Sequence, residues 1–308
     1  MEQDFLDWLI PRLPTDARLE IGPGDDAAVL RPPAGRRTVV TVDMLTEGVD
    51  FRLTAGCDPR QVGHKALAVG LSDLAAMAAR PEAAVVAVCL PRRGGGDIAR
   101  GIADGITALA AEHGVALAGG DTNAWDGPVV VSVTVLGSVE PGAAWRRDGA
   151  RPGDRILVTG RFGGSILGRH LAVRPRCAEA AWIARQVPVH AAIDVSDGLS
   201  LDLARLMTAS GTGALVDLDR VPVHPDAERL AREDGTAPLD HALADGEDFE
   251  LLLTLPPDAA ARLLAADRPF ATLLTDIGAV TERPGLRAST ADGAIDLPAR
   301  GFLHAFDA

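Results

Sequence analysis

The chain has 308 residues, 47% of them hydrophobic and 24% charged, with a formal net charge of −13. That composition excludes a disordered tail protein and predicts a globular chain, long enough for two cores of about 150 residues each. The negative charge argues against nucleic acid or an anionic membrane as partner, so any anionic substrate must be held locally by metal or arginine.

In chain order, Phe5, Leu6, Trp8, Leu9 and Ile10 form an amphipathic first helix, stopped by Pro11 and Pro14. The acidic start MEQDFLDWLI carries no basic leader, so no signal peptide is expected. GPGDDAAVL places Asp25 and Asp26 after a Gly-Pro-Gly turn and before an apolar strand. Arg37 to Asp43 reads as a buried strand ending in an acid. Asp58-Pro59 opens a helix that runs to Ala79 with a break near Ser72, before Pro81 stops it. Ala83 to Leu90 is an apolar strand, Gly96 to His113 an alanine-rich helix, and Val115 to Ala118 a short strand delivering Gly119-Gly120-Asp121. Val129 to Gly137 is another strand.

WRRDGARPG, Trp145 to Gly153, is the candidate domain boundary. Beyond it the pattern restarts with strand Arg155 to Thr159, the turn Thr159-Gly160-Arg161-Phe162-Gly163-Gly164-Ser165, helices, and strand Ala191 to Asp194. A helix over Ser200 to Ala209, strand Gly213 to Leu218, and helices Asp226 to Glu233 and Leu239 to Ala244 follow. Strand Phe249 to Leu255, helix Asp258 to Ala266, and short strands at Leu273 to Ile277 and Ala294 to Leu297 complete the pattern. Strands and helices mix in both halves, which defines a mixed α/β chain.

Asp25, Asp26, Asp43, Asp73, Asp121, Asp194 and Asp197 follow or open apolar runs, as residues do at the ends of buried strands. Taken singly, each has a plain explanation: a solvated turn for Asp25 and Asp26, or helix capping for Ser72-Asp73 and Ser196-Asp197-Gly198. As a set, converging carboxylates repel unless cations pair them, and hard oxygen ligands select Mg²⁺, which comes with phosphates. The chain's only lysine, Lys65, precludes a Walker A loop, and a kinase lysine with a His-Arg-Asp loop is absent. Lys65 reads as a solvated helix residue; Arg146, Arg147 and Arg151 cluster at the boundary; Phe302 in GFLHAF is either a core plug or a lid over a flat ligand. Cys57, Cys89 and Cys177 lack metal or disulfide spacing, which fits a reducing, cytoplasmic compartment.

GDDAAVL, TVDMLTEGVDF, GHKALAVGLSDLAAMAA, GGDT, RRDGARPGD, DVSDGL and GEDFELLLT occur in that order. Together, from about Asp4 to Phe302, they resemble the thiamine-monophosphate kinase family, of the superfamily that includes aminoimidazole ribonucleotide synthetase and selenophosphate synthetase. The resemblance implies a two-domain PurM-like fold. Its N-terminal ATP/Mg-binding domain, residues 1–148, has a sheet that pairs across a homodimer; an α/β domain follows over residues 149–308. It implies ATP and several Mg²⁺ ions in the cleft between the domains. The implied metal ligands are Asp26, Thr41, Val42 (backbone oxygen), Asp43, Asp73, Asp121, Asp194 and Asp197. The implied nucleotide contacts are Gly120, Asp121, Arg147 and Ser196; the implied substrate contacts are Asp50, Glu247 and Phe302. Asp50 stands where histidine is frequent in the family, and Ala244-Asp245-Gly246 replaces the usual Gly-Gly. No cysteine matches the reactive position of the selenophosphate-type relatives.

The implied reaction is in-line, Mg-assisted transfer of phosphate from ATP to thiamine monophosphate. The acceptor phosphate is already anionic, so no general base is needed; Asp43, Arg147 and Asp197 are the residues on which the reaction most depends. Two other readings stay open. A synthetase-like ligase would release inorganic phosphate, and a non-catalytic Mg-nucleotide-binding protein would bind ATP without consuming it.

Overall fold

The computed structural model describes residues 2–53, 57–290 and 293–303. The chain forms two compact units, one of residues 1–74, 79–143 and 171–174, the other of residues 75–78, 144–170 and 175–308. No helix among the described residues is long and apolar enough to cross a membrane.

In the first unit, helix α1 (Glu2–Leu9) continues as a single 3₁₀ turn over Ile10–Arg12 and precedes a small antiparallel pair, β1 (Leu19–Ile21) and β2 (Val29–Leu30). Strand β3 (Arg37–Thr46), helix α2 (Pro59–Ala76), strand β4 (Arg80–Pro91), helix α3 (Gly95–His113) and strands β5 (Ala116–Trp125) and β6 (Val130–Val139) follow. The sheet order is β3-β6-β4-β5, antiparallel except for the parallel β4–β5 pair.

Several expectations need correction here. Strand β3 is not buried. It lies at the sheet edge, and its alternate residues Val40, Val42 and Met44 are 63–64% exposed. Helix α2 runs unbroken through Ser72, which is buried within it, so Ser72-Asp73 caps nothing. Its stop comes from Ala78 at φ 52° rather than from Pro81, which pairs with Gly137 inside β4. Gly119-Gly120-Asp121 lies within β5, because the strand continues in register with β4 as far as Trp125.

Two glycines set the helix packing. A Cβ on Gly63 of α2 would stand 2.0 Å from the Ile102 carbonyl oxygen of α3. One on Gly105 of α3 would stand 2.0 Å from that of Arg60. The two helices therefore touch backbone to backbone.

In the second unit, β7 (Arg155–Thr159), α4 (Cys177–Gln186), β8 (Ala191–Val195), α5 (Leu199–Ser210) and β9 (Gly213–Asp217) lead to α6 (Pro225–Asp234) and α7 (Pro238–Ala244). Strand β10 (Glu250–Leu255), α8 (Pro257–Ala265), β11 (Leu274–Thr281), β12 (Gly285–Thr290) and β13 (Gly293–Asp296) complete it. Strands β1 and β12 have no counterpart in the sequence reading. Among the described residues the sheet order is β13-β12-β9-β11-β7-β10-β8.

Period-two alternation splits the central strands between two cores. Ile156, Val158, Ile193, Val195 and Leu252 face one core with Leu203 and Leu206 of α5. Leu157, Ala192, Leu251 and Leu253 face the other with Ile183 of α4 and Leu263 of α8. Burial on both faces explains why these strands read as unbroken apolar runs. Each buried valine, leucine or isoleucine among them contributes about 1.5–3 kcal/mol.

Candidate active site

In the first unit, alternation along β3 sends Thr41 and Asp43 to the face opposite Val40, Val42 and Met44. Asp73, near the end of α2, accepts a short hydrogen bond from the Thr41 hydroxyl. Room for Asp43 exists because residue 70 is glycine: a Cβ there would meet Val135 Cγ2 at 2.6 Å and Asp43 Oδ2 at 3.3 Å. Asp43 Oδ2 is buried with no hydrogen-bond partner among the described residues. Burial, and then the charge of Asp73, push its carboxyl up to about 7. A repelling carboxylate pair, an orphaned buried oxygen and a hydroxyl form an all-oxygen set that a hard divalent cation satisfies, so the residues present fit Mg²⁺.

A cavity of about 800 Å³ lies in the same unit, lined by Asp25, Asp26, Gly119, Gly120 and Asp121 together with apolar residues of α1 and α3. Close approach of β5 to β4 demands glycine at 120, where a Cβ would stand 2.1 Å from the Val86 oxygen. Ser132 and Thr134 also line the cavity. They pair with Met44 and Val42 and so share the face opposite the Asp43 carboxylate. The structure thus gathers Thr41, Asp43 and Asp73 in one place and Asp26, Gly120 and Asp121 in another. Among the described residues no group of three or more His, Cys, Asp or Glu side chains stands ready to hold a metal.

Asp50 follows β3, its Oδ2 accepting from the Thr46 amide at 2.7 Å. Lys65 is not solvated. It is fully buried, and its ammonium donates to the Asp50 carbonyl oxygen at 2.7 Å, fixing the backbone that carries Asp50.

In the second unit, four segments converge at one end of the sheet: 160–165 after β7, 196–198 after β8, 245–248 before β10, and 300–302. The Glu247 amide donates to Ser196 O at 2.6 Å and the Phe302 amide to Asp197 O at 2.9 Å. Ser165 Oγ donates to Gly246 O at 2.7 Å. Ser196, Asp197, Glu247 and Phe302 are therefore brought together by main-chain bonds, with the Phe302 ring half exposed rather than plugging the core. The tail beyond Leu303 lies outside the described residues. Asp194 is buried in β8, and Arg147 is an exposed residue whose carbonyl accepts from Ser210 Oγ at 2.9 Å.

Sequence reasoning gave no role to four carboxylates here. Asp197 does not cap α5; Asp202, one turn into the helix, accepts from the amides of Ser196, Asp197 and Gly198 at 3.1, 2.9 and 3.2 Å. Burial pushes the Asp202 carboxyl up, against those amides and Arg205, whose guanidinium also pairs with Asp197. Asp248 accepts from Gly163 N and from Arg169 at 2.8 Å, and Asp245 accepts from Gly164 N at 2.7 Å. Glu250 is held by Thr159 at 2.7 Å and by Arg176. An acid in a helix's first turn behind three uncapped amides was the one available sign, for Asp202.

Comparison with known proteins defines the class first. Residues 24–139 match the AIR synthase related protein N-terminal domain and residues 151–290 the C-terminal domain of the same group. The fold is thus the two-domain, PurM-like one. A thiamine-monophosphate kinase of Rhodopirellula baltica is 42% identical over 99% of this chain and 97% of its own length. The thiamine-monophosphate kinase structure from Stenotrophomonas maltophilia superposes with a TM-score of 0.79 at 34% identity, covering 92% of this chain and 94% of the other. A structure described as AaThiL complexed with AMPPCP and TMP superposes with a TM-score of 0.76 at 26% identity over 90% of each chain. The chain belongs to the thiamine-monophosphate kinase family.

Proposed function

We propose that the protein phosphorylates thiamine monophosphate with ATP, giving thiamine diphosphate and ADP. The observation that carries the reading is the Thr41–Asp43–Asp73 arrangement, in which a buried, orphaned carboxylate oxygen beside a second carboxylate is unfavourable without a cation. Similarity supplies the substrates: relatives bear the enzyme's name, and a solved relative holds AMPPCP and TMP.

Asp43, Asp73, Thr41 and the Val42 carbonyl are assigned as Mg²⁺ ligands, with Asp26, Asp121, Asp194 and Asp197 as further ligands. When bound, Mg²⁺ neutralises charge on the transferring phosphoryl group. Gly120 and Asp121 in the cavity, with Arg147 and Ser196, are assigned to the nucleotide. Asp50, Glu247 and Phe302 are assigned to the acceptor, the half-exposed Phe302 ring offering an apolar face to a flat heterocycle. The attacking oxygen belongs to a phosphate already ionised near neutral pH, so the side chains' task is orientation and charge placement. We also assign the open apolar face of edge strand β3 to pairing with a second copy of the chain. An ATP-consuming enzyme with reduced cysteines belongs in the cytoplasm.

Purified protein incubated with Mg-ATP and thiamine monophosphate tests this. Thiamine diphosphate in a one-to-one ratio with ADP, abolished by a chelator, is the expected result. Inorganic phosphate without thiamine diphosphate would instead indicate the ligase chemistry, and no ATP consumption would indicate a binding protein.

A further inference from the structure

A line of charged groups runs into the glycine-rich turn that follows β7. Buried His241 on α7 has one ring nitrogen, Nδ1, against both oxygens of Asp245 at 2.9 and 3.1 Å, and the other, Nε2, against Asp234 of α6 at 3.3 Å. The second oxygen of Asp245 accepts from the Gly164 amide at 2.7 Å. Alongside, the Asp248 carboxylate takes the Gly163 amide at 3.1 and 3.2 Å, and Ser165 Oγ donates to Gly246 O. Three consecutive residues of one turn are thereby fastened to the segment 245–248.

That segment and the residue after it are strained. Glu247 and Phe249 have left-handed φ of 54° and 50°, which non-glycine residues adopt only where surroundings over-determine them, while Gly246 between Asp245 and Glu247 takes 74° freely. The fastening cannot shift to relieve it. A Cβ on Gly163 would meet the backbone of Ala242 at 2.6 Å, and one on Gly164 that of Asp226 at 2.4 Å, so the turn is seated without slack. Glu247, whose carboxylate pairs with His170 at 3.2 Å, is the residue the clamp holds in place.

We propose that Asp245 is a positioning residue for the acceptor substrate: clamped by His241, its carboxylate fixes the Gly164 amide and so the strained turn that presents Glu247. The inference rests on the assignment of Glu247 to the acceptor. Asparagine at 245 keeps an oxygen for the Gly164 amide but loses the ion pair with His241; alanine loses both. The effect should fall on the acceptor, because the segment that Asp245 fastens carries Glu247, the residue assigned to it.

The test compares the wild type with Asp245→Ala, Asp245→Asn and His241→Gln by steady-state kinetics, calorimetric titration with thiamine monophosphate and with AMPPCP separately, and thermal melting. Asp245→Ala is expected to raise KM for thiamine monophosphate about tenfold or more, with kcat and KM for ATP changing less than about threefold. Asp245→Asn, which keeps the Gly164 contact but not the ion pair, should recover part of that loss and leave a rise of about threefold, as is expected of His241→Gln. A lowered melting temperature with KM for thiamine monophosphate unchanged would make the residue merely structural and overturn the proposal, as would an equal rise in KM for ATP. If Asp245→Ala does not fold, His241→Gln must raise the same KM by at least about threefold, and an unchanged value overturns the proposal. Wild-type protein that neither binds nor phosphorylates thiamine monophosphate defeats the functional reading itself, and the inference with it, before any variant is compared.

Discussion

Asp43 and Asp73 form an arrangement that costs stability, and the proposed metal site gives that cost a use. Replacing Asp43 by asparagine removes a buried charge and its repulsion from Asp73, while also removing a hard anionic ligand. Asp43→Asn is therefore expected to lose about 100-fold or more in turnover, yet to melt no lower than the wild type in the absence of metal. Mg²⁺ should raise the wild-type melting temperature and leave the variant's nearly unchanged. Turnover within about tenfold of wild type would remove Asp43 from the metal set.

His241 offers a second residue-level test. Burial alone lowers its pKa, but the hydrogen bond and charge of Asp245, with those of Asp234, outweigh burial and raise it. A raised folded-state value means that the charged imidazole contributes stability fully below about pH 6.5, lost as pH climbs through the folded-state value. The urea midpoint of the wild type should thus fall more steeply above pH 6.5 than that of His241→Gln; parallel profiles would contradict the shift. At this scale residue type and apolar flanks placed Asp194 near the end of β8. Asp43 and Asp121 instead lie inside β3 and β5, because pairing with neighbouring strands carries both strands past them. Asp202, Asp245 and Asp248 were hidden because their roles depend on the amides they receive, and for the last two those donors lie 81 and 85 residues away.

Among elements, helices and central strands were readable from periodicity, and β7 falls on the residues its apolar run predicts. What escaped was the neighbour relation. RTVVTVD reads as buried because valine makes up its apolar content, but Val40 and Val42 fall on the open face of an edge strand, which only the sheet order shows. Strand β12 was invisible because GLRAST has too few apolar residues to signal, and its pairing with β9 supplies what propensity does not. The backbone contact between α2 and α3 was likewise silent, since glycine in a helix reads only as weak propensity. Gly105→Ala, forcing a methyl group onto the Arg60 carbonyl, should destabilise the first unit by about 3 kcal/mol; a shift below about 0.5 kcal/mol in chemical denaturation would refute the tight approach. If the open face of β3 pairs two copies as proposed, wild-type protein should sediment as a dimer and Val40→Lys as a monomer; a wild-type monomer or an unchanged variant dimer would contradict that assignment.

Across the whole molecule, the two units do not divide at a single point in the chain: residues 75–78 belong with the second and 171–174 with the first. No compositional signal marks such interleaving, because it depends on tertiary packing. A net charge of −13 repels both phosphorylated substrates, so every favourable term for them must be local. That places the weight of the account on the cation proposed for the Thr41–Asp43–Asp73 arrangement of β3 and α2. Anomalous diffraction from crystals containing Mn²⁺ and a non-hydrolysable ATP analogue measures it directly. A manganese peak within coordination distance of Asp43 Oδ2 and Asp73, roughly 2–2.4 Å, is expected. Manganese bound elsewhere, with no density beside that pair, would contradict it.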